Sequence, residues 1–229
     1  MGSVWRNWSK ITDVVLGHSV PDLKKGIMDR DNLDAFIGAM HVVASRAAPA
    51  VVAAVEPTGA GRLLDIGGGS GAYTLAFLDA RPTLRATLFD RPRVIDMARE
   101  RIKAAAMLDR VTLVPGDFYT DELPTGHDLA LLSAIIHQNS PEENRELYCK
   151  IQSALDPGGR IVIRDHVMSP DRTQPREGAL FAVNMLAGTK GGRTYTFEEI
   201  EAGLLAAGFS RIRLIQRKGM FSLVEGYKP

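Results

Sequence analysis

Three stretches of this chain combine residue types and spacings that could do chemistry. The first is Leu63-Leu64-Asp65-Ile66-Gly67-Gly68-Gly69-Ser70-Gly71, an apolar run ending in glycines and leading into Ala72-Tyr73-Thr74-Leu75-Ala76-Phe77-Leu78. It reads as a buried strand, a tight turn and the start of a helix. Without Cβ atoms such a turn lets the backbone press against a bulky ligand, and the helix start beyond it presents unpaired N–H groups. Both features suit a nucleotide-like cofactor. The second stretch is Leu88-Phe89-Asp90, where an acid at a strand end can accept both hydroxyls of a ribose. The third is His137, which closes the apolar run 129–136 at or just past another strand end. An imidazole there can take a proton from a hydroxyl as its oxygen attacks.

Spacing alone leaves the cofactor open. Gly67-x-Gly69-x-x-Ala72 satisfies the dinucleotide signature, so a nicotinamide cofactor and hydride transfer remain an alternative. Asp65 argues for S-adenosylmethionine instead, because a strand-tip aspartate can face a cationic amino group but would repel a pyrophosphate. Asp90 fits either. No histidine pair has metal-ligand spacing, so no metal is expected. His18 and His127 sit in polar, loop-like surroundings and are expected in solvent. His41 falls on a long N-terminal helix as a surface or packing residue, and His166 follows Asp165 close to the site.

The elements that must position these residues follow from hydrophobic periodicity. Short apolar runs predict strands over 62–66, 84–89, 111–114, 128–133, 159–166, 209–216 and 219–226, with helices near 71–80, 91–107 and 141–155. Strand–helix alternation implies a parallel sheet with right-handed crossovers. The last two runs are separated only by Arg217-Lys218, a hairpin that makes the final strand antiparallel. Thr196-Phe197-Glu198-Glu199 fits a capping box opening the last helix, which Gly208 would close. The fold class is α/β, a seven-stranded, doubly wound, mostly parallel sheet preceded by a helical N-terminal segment. In that segment Asp31 can cap a run in which Leu33, Phe36, Ile37, Met40, Val43 and Ala44 recur at helical spacing. Pro21 suits the first turn of a preceding helix, and Trp5, Trp8, Ile11, Val15 and Leu16 suggest a further amphipathic one. The division expected is 1–55 as a helical lead-in, lid and possible dimerisation segment, and 56–229 as the cofactor-binding domain.

With 229 residues, the chain is long enough for one well-filled α/β domain. A formal net charge of +1 gives no case for nucleic acid or an acidic membrane surface. No apolar stretch is expected to span a membrane, no signal-peptide pattern is apparent, and a cytoplasmic protein is expected. The single cysteine, Cys149, excludes an internal disulfide and is expected buried on its helix. Met1-Gly2-Ser3 reads as the leader of an expressed fragment, a naturally short form being the alternative.

Beyond these physical readings, the chain resembles the class I S-adenosylmethionine-dependent O-methyltransferases of the caffeic acid, isoflavone and hydroxyindole type, including bacterial polyketide-modifying members. The resemblance runs from about Trp8 to Tyr227. It rests on Asp65 to Gly71, Phe89-Asp90-Arg91-Pro92-Arg93-Val94-Ile95, Gly116-Asp117-Phe118, Ile136-His137, Pro157-Gly158-Gly159-Arg160, Asn184-Met185-Leu186 and Gly191-Gly192-Arg193, taken in order. It implies S-adenosylmethionine as cofactor, S-adenosylhomocysteine as product, and a small aromatic or polyketide-like acceptor. Cofactor contacts are implied at Asp65, Gly67, Gly68, Gly69, Asp90, Arg91, Asp117, Phe118 and Ser133. Catalysis is implied at His137 as general base with Asp165 as its orienting acid, where relatives usually carry a glutamate. The shorter side chain of Asp165 leads us to expect a lost or water-bridged contact. Acceptor contacts are implied at Phe36, Met40, Asn184, Met185 and Thr189. The family usually continues its histidine as His-Asp-Trp or His-Asn-Trp. His137-Gln138-Asn139 departs from this, which keeps a non-methylating or inactive relative as an alternative. Full-length relatives begin with a dimerising winged-helix-like domain, most of which would precede this chain.

Overall fold

The computed structural model describes residue 5 and residues 7–18 and 30–229. Met1-Gly2-Ser3, Pro21 and the side chain of Asp31 lie outside that description. In chain order the elements are α1 (Ile11–Val15), α2 (Arg30–Val55), β1 (Arg62–Ile66), α3 (Ala72–Ala80), β2 (Arg85–Asp90), α4 (Pro92–Ala104) and β3 (Val111–Pro115). There follow β4 (His127–Ser133), α5 (Pro141–Ala154), β5 (Leu155–Asp165), β6 (Val167–Met168), α6 (Arg176–Gly188), β7 (Tyr195–Thr196), α7 (Phe197–Ala206), β8 (Ser210–Lys218) and β9 (Phe221–Tyr227).

Seven strands form one sheet in the order β3-β2-β1-β4-β5-β9-β8. β1 to β5 pair in parallel, and β9 runs antiparallel to both of its neighbours. The expected class is therefore the observed one. Leu129, Ala130, Leu131 and Leu132 of β4 and Ile161, Val162 and Ile163 of β5 are wholly buried, as strands covered on both faces must be. Alternate residues feed two cores. Leu64, Ile66, Leu132 and Ile163 pack with Leu147 and Ile151 of α5 and Ile200 and Leu204 of α7. Leu63, Leu131 and Val162 pack with Val51 of α2, Phe77 of α3 and Ile102 of α4.

Helix starts follow local chemistry. Ser140 and Glu143 form a capping box on α5, with Pro141 in its first turn. Thr196 and Glu199 form the expected box on α7, and Gly208, just past its end, takes the left-handed conformation. Elsewhere the structure departs from expectation. The final hairpin turns at Gly219-Met220, since Lys218 still pairs with Phe221 and Gly219 supplies the positive φ. Cys149 is exposed on the solvent face of α5. His127 is buried and shares a hydrogen bond with Thr87 at 2.9 Å. Residues Leu33–Val55 of α2 are long and apolar enough to cross a membrane by length and composition, contrary to expectation. Here Ala48, Val51, Val52 and Val55 pack into the sheet core, while Phe36, Met40, Val42 and Val43 are exposed.

The C-terminus of α2 is tied to the sheet by Arg160. Its guanidinium donates to the carbonyls of Val55 at 2.6 Å and Glu56 at 3.0 Å, and to the wholly buried Glu225 carboxylate at 2.8 Å. Glu225 also accepts from Arg213. Removing one partner of a buried pair leaves the other charge uncompensated. Glu225→Gln should lower unfolding free energy by about 3 kcal/mol in urea titrations; a change under about 1 kcal/mol would show that the pair adds little.

Candidate active site

β1 and β4 are sheet neighbours although β2 and β3 lie between them in sequence. The winding direction reverses there, and such a reversal opens a crevice at the carboxyl ends of the strands. The loops after β1 and β4 meet in it. Gly67, Gly69 and Gly71 have φ of 64°, 56° and 78°, which an L side chain rarely adopts. A Cβ on Gly67 would stand 2.7 Å from Ile135, and one on Gly68 2.7 Å from Leu88. At Gly69 the nearest atom to such a Cβ is a backbone oxygen at 4.0 Å, so that side of the loop is open to a ligand.

The carboxylates at this edge have different environments. Asp90, at the end of β2, accepts from the N–H groups of Gly69 at 2.8 Å and Arg91 at 2.7 Å. Burial raises its pKa, and those two donors oppose the shift. A carboxylate has about four lone-pair sites, so Asp90 can still accept two hydroxyls. Asp65 is 1% exposed and lies behind the glycine loop, accepting from Thr74 Oγ1 at 2.6 Å. Burial, reinforced by Asp90 and opposed by Thr74, pushes its pKa up to about 6.

After β3, Phe118 lies close to Gly67, and its ring packs at 4.6 Å against Tyr119. Asp117 accepts from the Tyr119 N–H at 3.0 Å. Lys150 holds this loop by donating to the carbonyls of Phe118, Tyr119 and Asp121. Ser133 ends β4 opposite Arg164 of β5.

His137 and Asp165 are brought into direct contact, which corrects the expected loss of that hydrogen bond. His137 Nδ1 lies 2.9 and 3.1 Å from the two oxygens of Asp165. Ionised, Asp165 can only accept, so Nδ1 carries a proton, and in the neutral form of the ring the lone pair lies on Nε2. Burial alone would raise the Asp165 pKa, but the charge and hydrogen bond of His137, with His166, hold it below the ordinary value. The shorter acid reaches because His137 sits in a tight 3-10 turn, Ile136–Gln138, directly after β4. The wholly buried Asn139 secures that turn by donating to Asn144 and accepting from Tyr119, while Asn144 donates to the Ile136 carbonyl. Tyr195 donates to the Asn139 carbonyl at 2.6 Å. Gly192 packs so close that a Cβ there would stand 2.5 Å from the His137 carbonyl.

α6 supplies one wall. Phe181 meets the His137 ring edge-on at 4.8 Å and stacks on His166 at 4.2 Å. His166 is 1% exposed, and burial pushes its pKa down to about 4, making it a neutral wall residue. Asn184, on the same helix, accepts from the indole of Trp8 at 3.2 Å. Met185 is buried, and the Thr189 hydroxyl donates to the Met185 carbonyl while accepting from Gly192. Phe36 and Met40 lie exposed on α2. Sequence reasoning missed Phe181, Asn139 and the contact of His41 with Ser70, whose Nδ1 and Oγ are 2.9 Å apart. None carries a signal before the tertiary partners are known.

Asp65 yields a pH prediction. Its pKa of about 6 in the folded chain exceeds the ordinary 3.8, so the folded state holds the proton more tightly. Its stabilising contribution is complete below the unfolded pKa and is lost as pH rises through the folded one. Asp65→Asn should flatten the fall in stability from pH 4 to 6, a slope of at most about 1.4 kcal/mol per pH unit. Urea titrations across that range check it, and an unchanged slope would assign the effect to other groups.

Comparison with known proteins bears on family and fold. A model of the O-methyltransferase domain matches residues 15–210. The chain is 33% identical over 228 residues to the 3-hydroxy-5-methyl-1-naphthoate 3-O-methyltransferase of Streptomyces sahachiroi, covering 96% of this chain and 66% of that one. It is 36% identical over 152 residues to the 3-amino-4-hydroxybenzoate 4-O-methyltransferase of Streptomyces cremeus, covering 66% and 41%. It thus spans two-thirds or less of these relatives' length. Its backbone matches the structure of a mitomycin 7-O-methyltransferase with a TM-score of 0.86 at 28% identity, covering 98% of this chain and 68% of that one. By domain match, sequence identity and fold, the chain belongs to the O-methyltransferase family.

Proposed function

We propose that this protein transfers a methyl group from S-adenosylmethionine to a hydroxyl of a small aromatic or polyketide-like acceptor. The observation that carries the reading is the His137–Asp165 pair, set on the same strand-end edge as an open glycine loop and the Asp90 carboxylate. The residues fit the cofactor. The Gly67-Gly68-Gly69 loop, open at Gly69, would meet its methionyl part, Asp90 with Arg91 receives the ribose, and Asp117 and Phe118 flank the adenine. Asp65 would answer the amino group from behind the loop, and Ser133 lies at the same crevice. When bound, S-adenosylmethionine supplies an electrophilic methyl group.

The chain's own residues do the rest. Asp165 holds the ring of His137 through Nδ1, leaving Nε2 to take the proton of the acceptor hydroxyl as its oxygen attacks. Positioning carries much of the barrier reduction, up to roughly 7–11 kcal/mol in well-oriented systems. Phe181, Asn184, Met185 and Thr189 of the α6 region, with Phe36 and Met40 from α2, form the acceptor side. The two Streptomyces relatives are named for a hydroxylated naphthoate and an aminohydroxybenzoate, which supports aromatic acids as members of the acceptor class. Residues 1–55 act in this reading as lid and homodimer contact. The exposed Trp5, Val15, Leu16, Val42 and Val43 of that segment support the assignment. The packing of α2 on the sheet supports a soluble enzyme.

Methyl-labelled S-adenosylmethionine, offered with hydroxylated naphthoates and benzoates, tests the reading. His137→Ala should lower turnover at least tenfold while leaving the calorimetric affinity for S-adenosylmethionine within about twofold, since a general base contributes about 10²- to 10⁴-fold. Asp165→Asn should lower turnover with the same affinity pattern. Unchanged turnover in His137→Ala would remove it from the mechanism, and binding of NAD in place of S-adenosylmethionine would overturn the function.

A further inference from the structure

We propose that Arg164, together with Ser133 and Tyr73, forms a subsite for a carboxylate beside the crevice. Arg164 is the penultimate residue of β5, 6% exposed, and its register partner is Ser133, the last residue of β4. Among the described residues its guanidinium makes one hydrogen bond, to Ser133 Oγ at the long distance of 3.5 Å. No described carboxylate forms an ion pair with it. Asp165, its neighbour in sequence, engages His137, and Asp65 engages Thr74. Arg160, four residues earlier on the same strand, shows the contrast, with Glu225 and two backbone carbonyls around its guanidinium.

A cation taken out of water without a counter-charge is unfavourable. The Phe221 ring, 3.8 Å from the guanidinium carbon, offsets part of that cost, and the Tyr73 ring lies at 5.5 Å. Neither ring supplies a hydrogen-bond acceptor in the plane of the guanidinium. Among the described residues the Tyr73 hydroxyl is itself buried without a hydrogen-bond partner, with Ser133 near enough to favour its ionised form. Burial lowers the pKa of Arg164 while Tyr73 and Asp165 oppose the shift, and an arginine so placed keeps its charge. Three groups able to donate thus gather around one positive charge that no described carboxylate contacts directly, the complement of a carboxylate. Tyr73 stands in the first turn of α3 behind the glycine loop, and Ser133 is half-buried at the end of β4, so the subsite borders the crevice.

Two ligands of the proposed reaction can bring a carboxylate there: the methionyl end of the cofactor, or an aromatic acid as acceptor. The inference therefore rests on the methyltransferase reading. Calorimetry on the full chain separates the sources. S-adenosylhomocysteine is compared with 5′-methylthioadenosine, which lacks the amino-acid end, and 3-hydroxy-2-naphthoate is compared with 2-naphthol in the presence of S-adenosylhomocysteine. If the cofactor's carboxylate is held, Arg164→Gln weakens S-adenosylhomocysteine at least tenfold and leaves 5′-methylthioadenosine unchanged. If the acceptor's is held, the variant loses at least tenfold for the naphthoate and nothing for the naphthol. Tyr73→Phe and Ser133→Ala, which remove single hydroxyls, should each weaken the same ligand severalfold and serve if Arg164→Gln does not fold. Unchanged affinity for both carboxylates in folded variants overturns the subsite, as does wild-type protein that prefers neither carboxylate over its counterpart. Wild-type protein that binds neither adenosyl ligand overturns the cofactor reading instead, and the naphthoate pair, titrated alone, then decides the subsite.

Discussion

Parallel strands in register finish at a common edge, and the glycine loop, Asp90, His137 and Asp165 depend on that constraint. Ile66 of β1 lies beside Leu132 of β4, and Leu132 beside Ile163 of β5. The glycine loop, the turn bearing His137 and the Asp165 carboxylate consequently leave the sheet at one level. A slip of one residue between β4 and β5 would turn Asp165 to the opposite face and separate it from His137. Such a slip is costly because it would also carry Arg160 and the buried Arg164 away from Glu225 and Ser133.

Carboxylates close together at that edge acquire distinct electrostatic characters from their surroundings. Asp65 is met by the hydroxyl and the backbone N–H of Thr74, and its burial favours the protonated form. Asp90 is buried too, but two backbone N–H groups partly restore its acidity. Asp165 faces the imidazole of His137 and accepts from the backbone N–H of His166, and together these outweigh its burial and keep it ionised. The same side chain type thus serves as a brace, a hydrogen-bond acceptor and an orienting charge.

Much of this was legible from residue patterns. β1 over 62–66 and the α7 capping box were readable because each is set by neighbours in sequence. The glycine turn was readable because it interrupts an apolar run, and His137 because it closes the run 129–136, although β4 itself stops at Ser133. What escaped depends on distant partners. His127 looks solvated between Gly126 and Asp128, yet its partner Thr87 comes from β2. Cys149 lies beside buried Tyr148, and only the docking of α5 decides which of them meets solvent. The Asp165 contact could not be judged from side-chain length, because the 3-10 turn after β4 sets the gap it must bridge. Asn139 carried no signal, since its role is to satisfy groups from three separate segments.

The hydrogen bond between His41 of α2 and Ser70 of the glycine loop joins the N-terminal segment to the floor of the crevice. Thermodynamic linkage makes any coupling through it symmetric. To the extent that a bound ligand orders the loop through Ser70, it also tightens α2 against the sheet. Anything that anchors the exposed half of α2 must then raise affinity in the crevice by the same factor. The crevice and the outer face of α2 are, in that sense, two ends of one equilibrium.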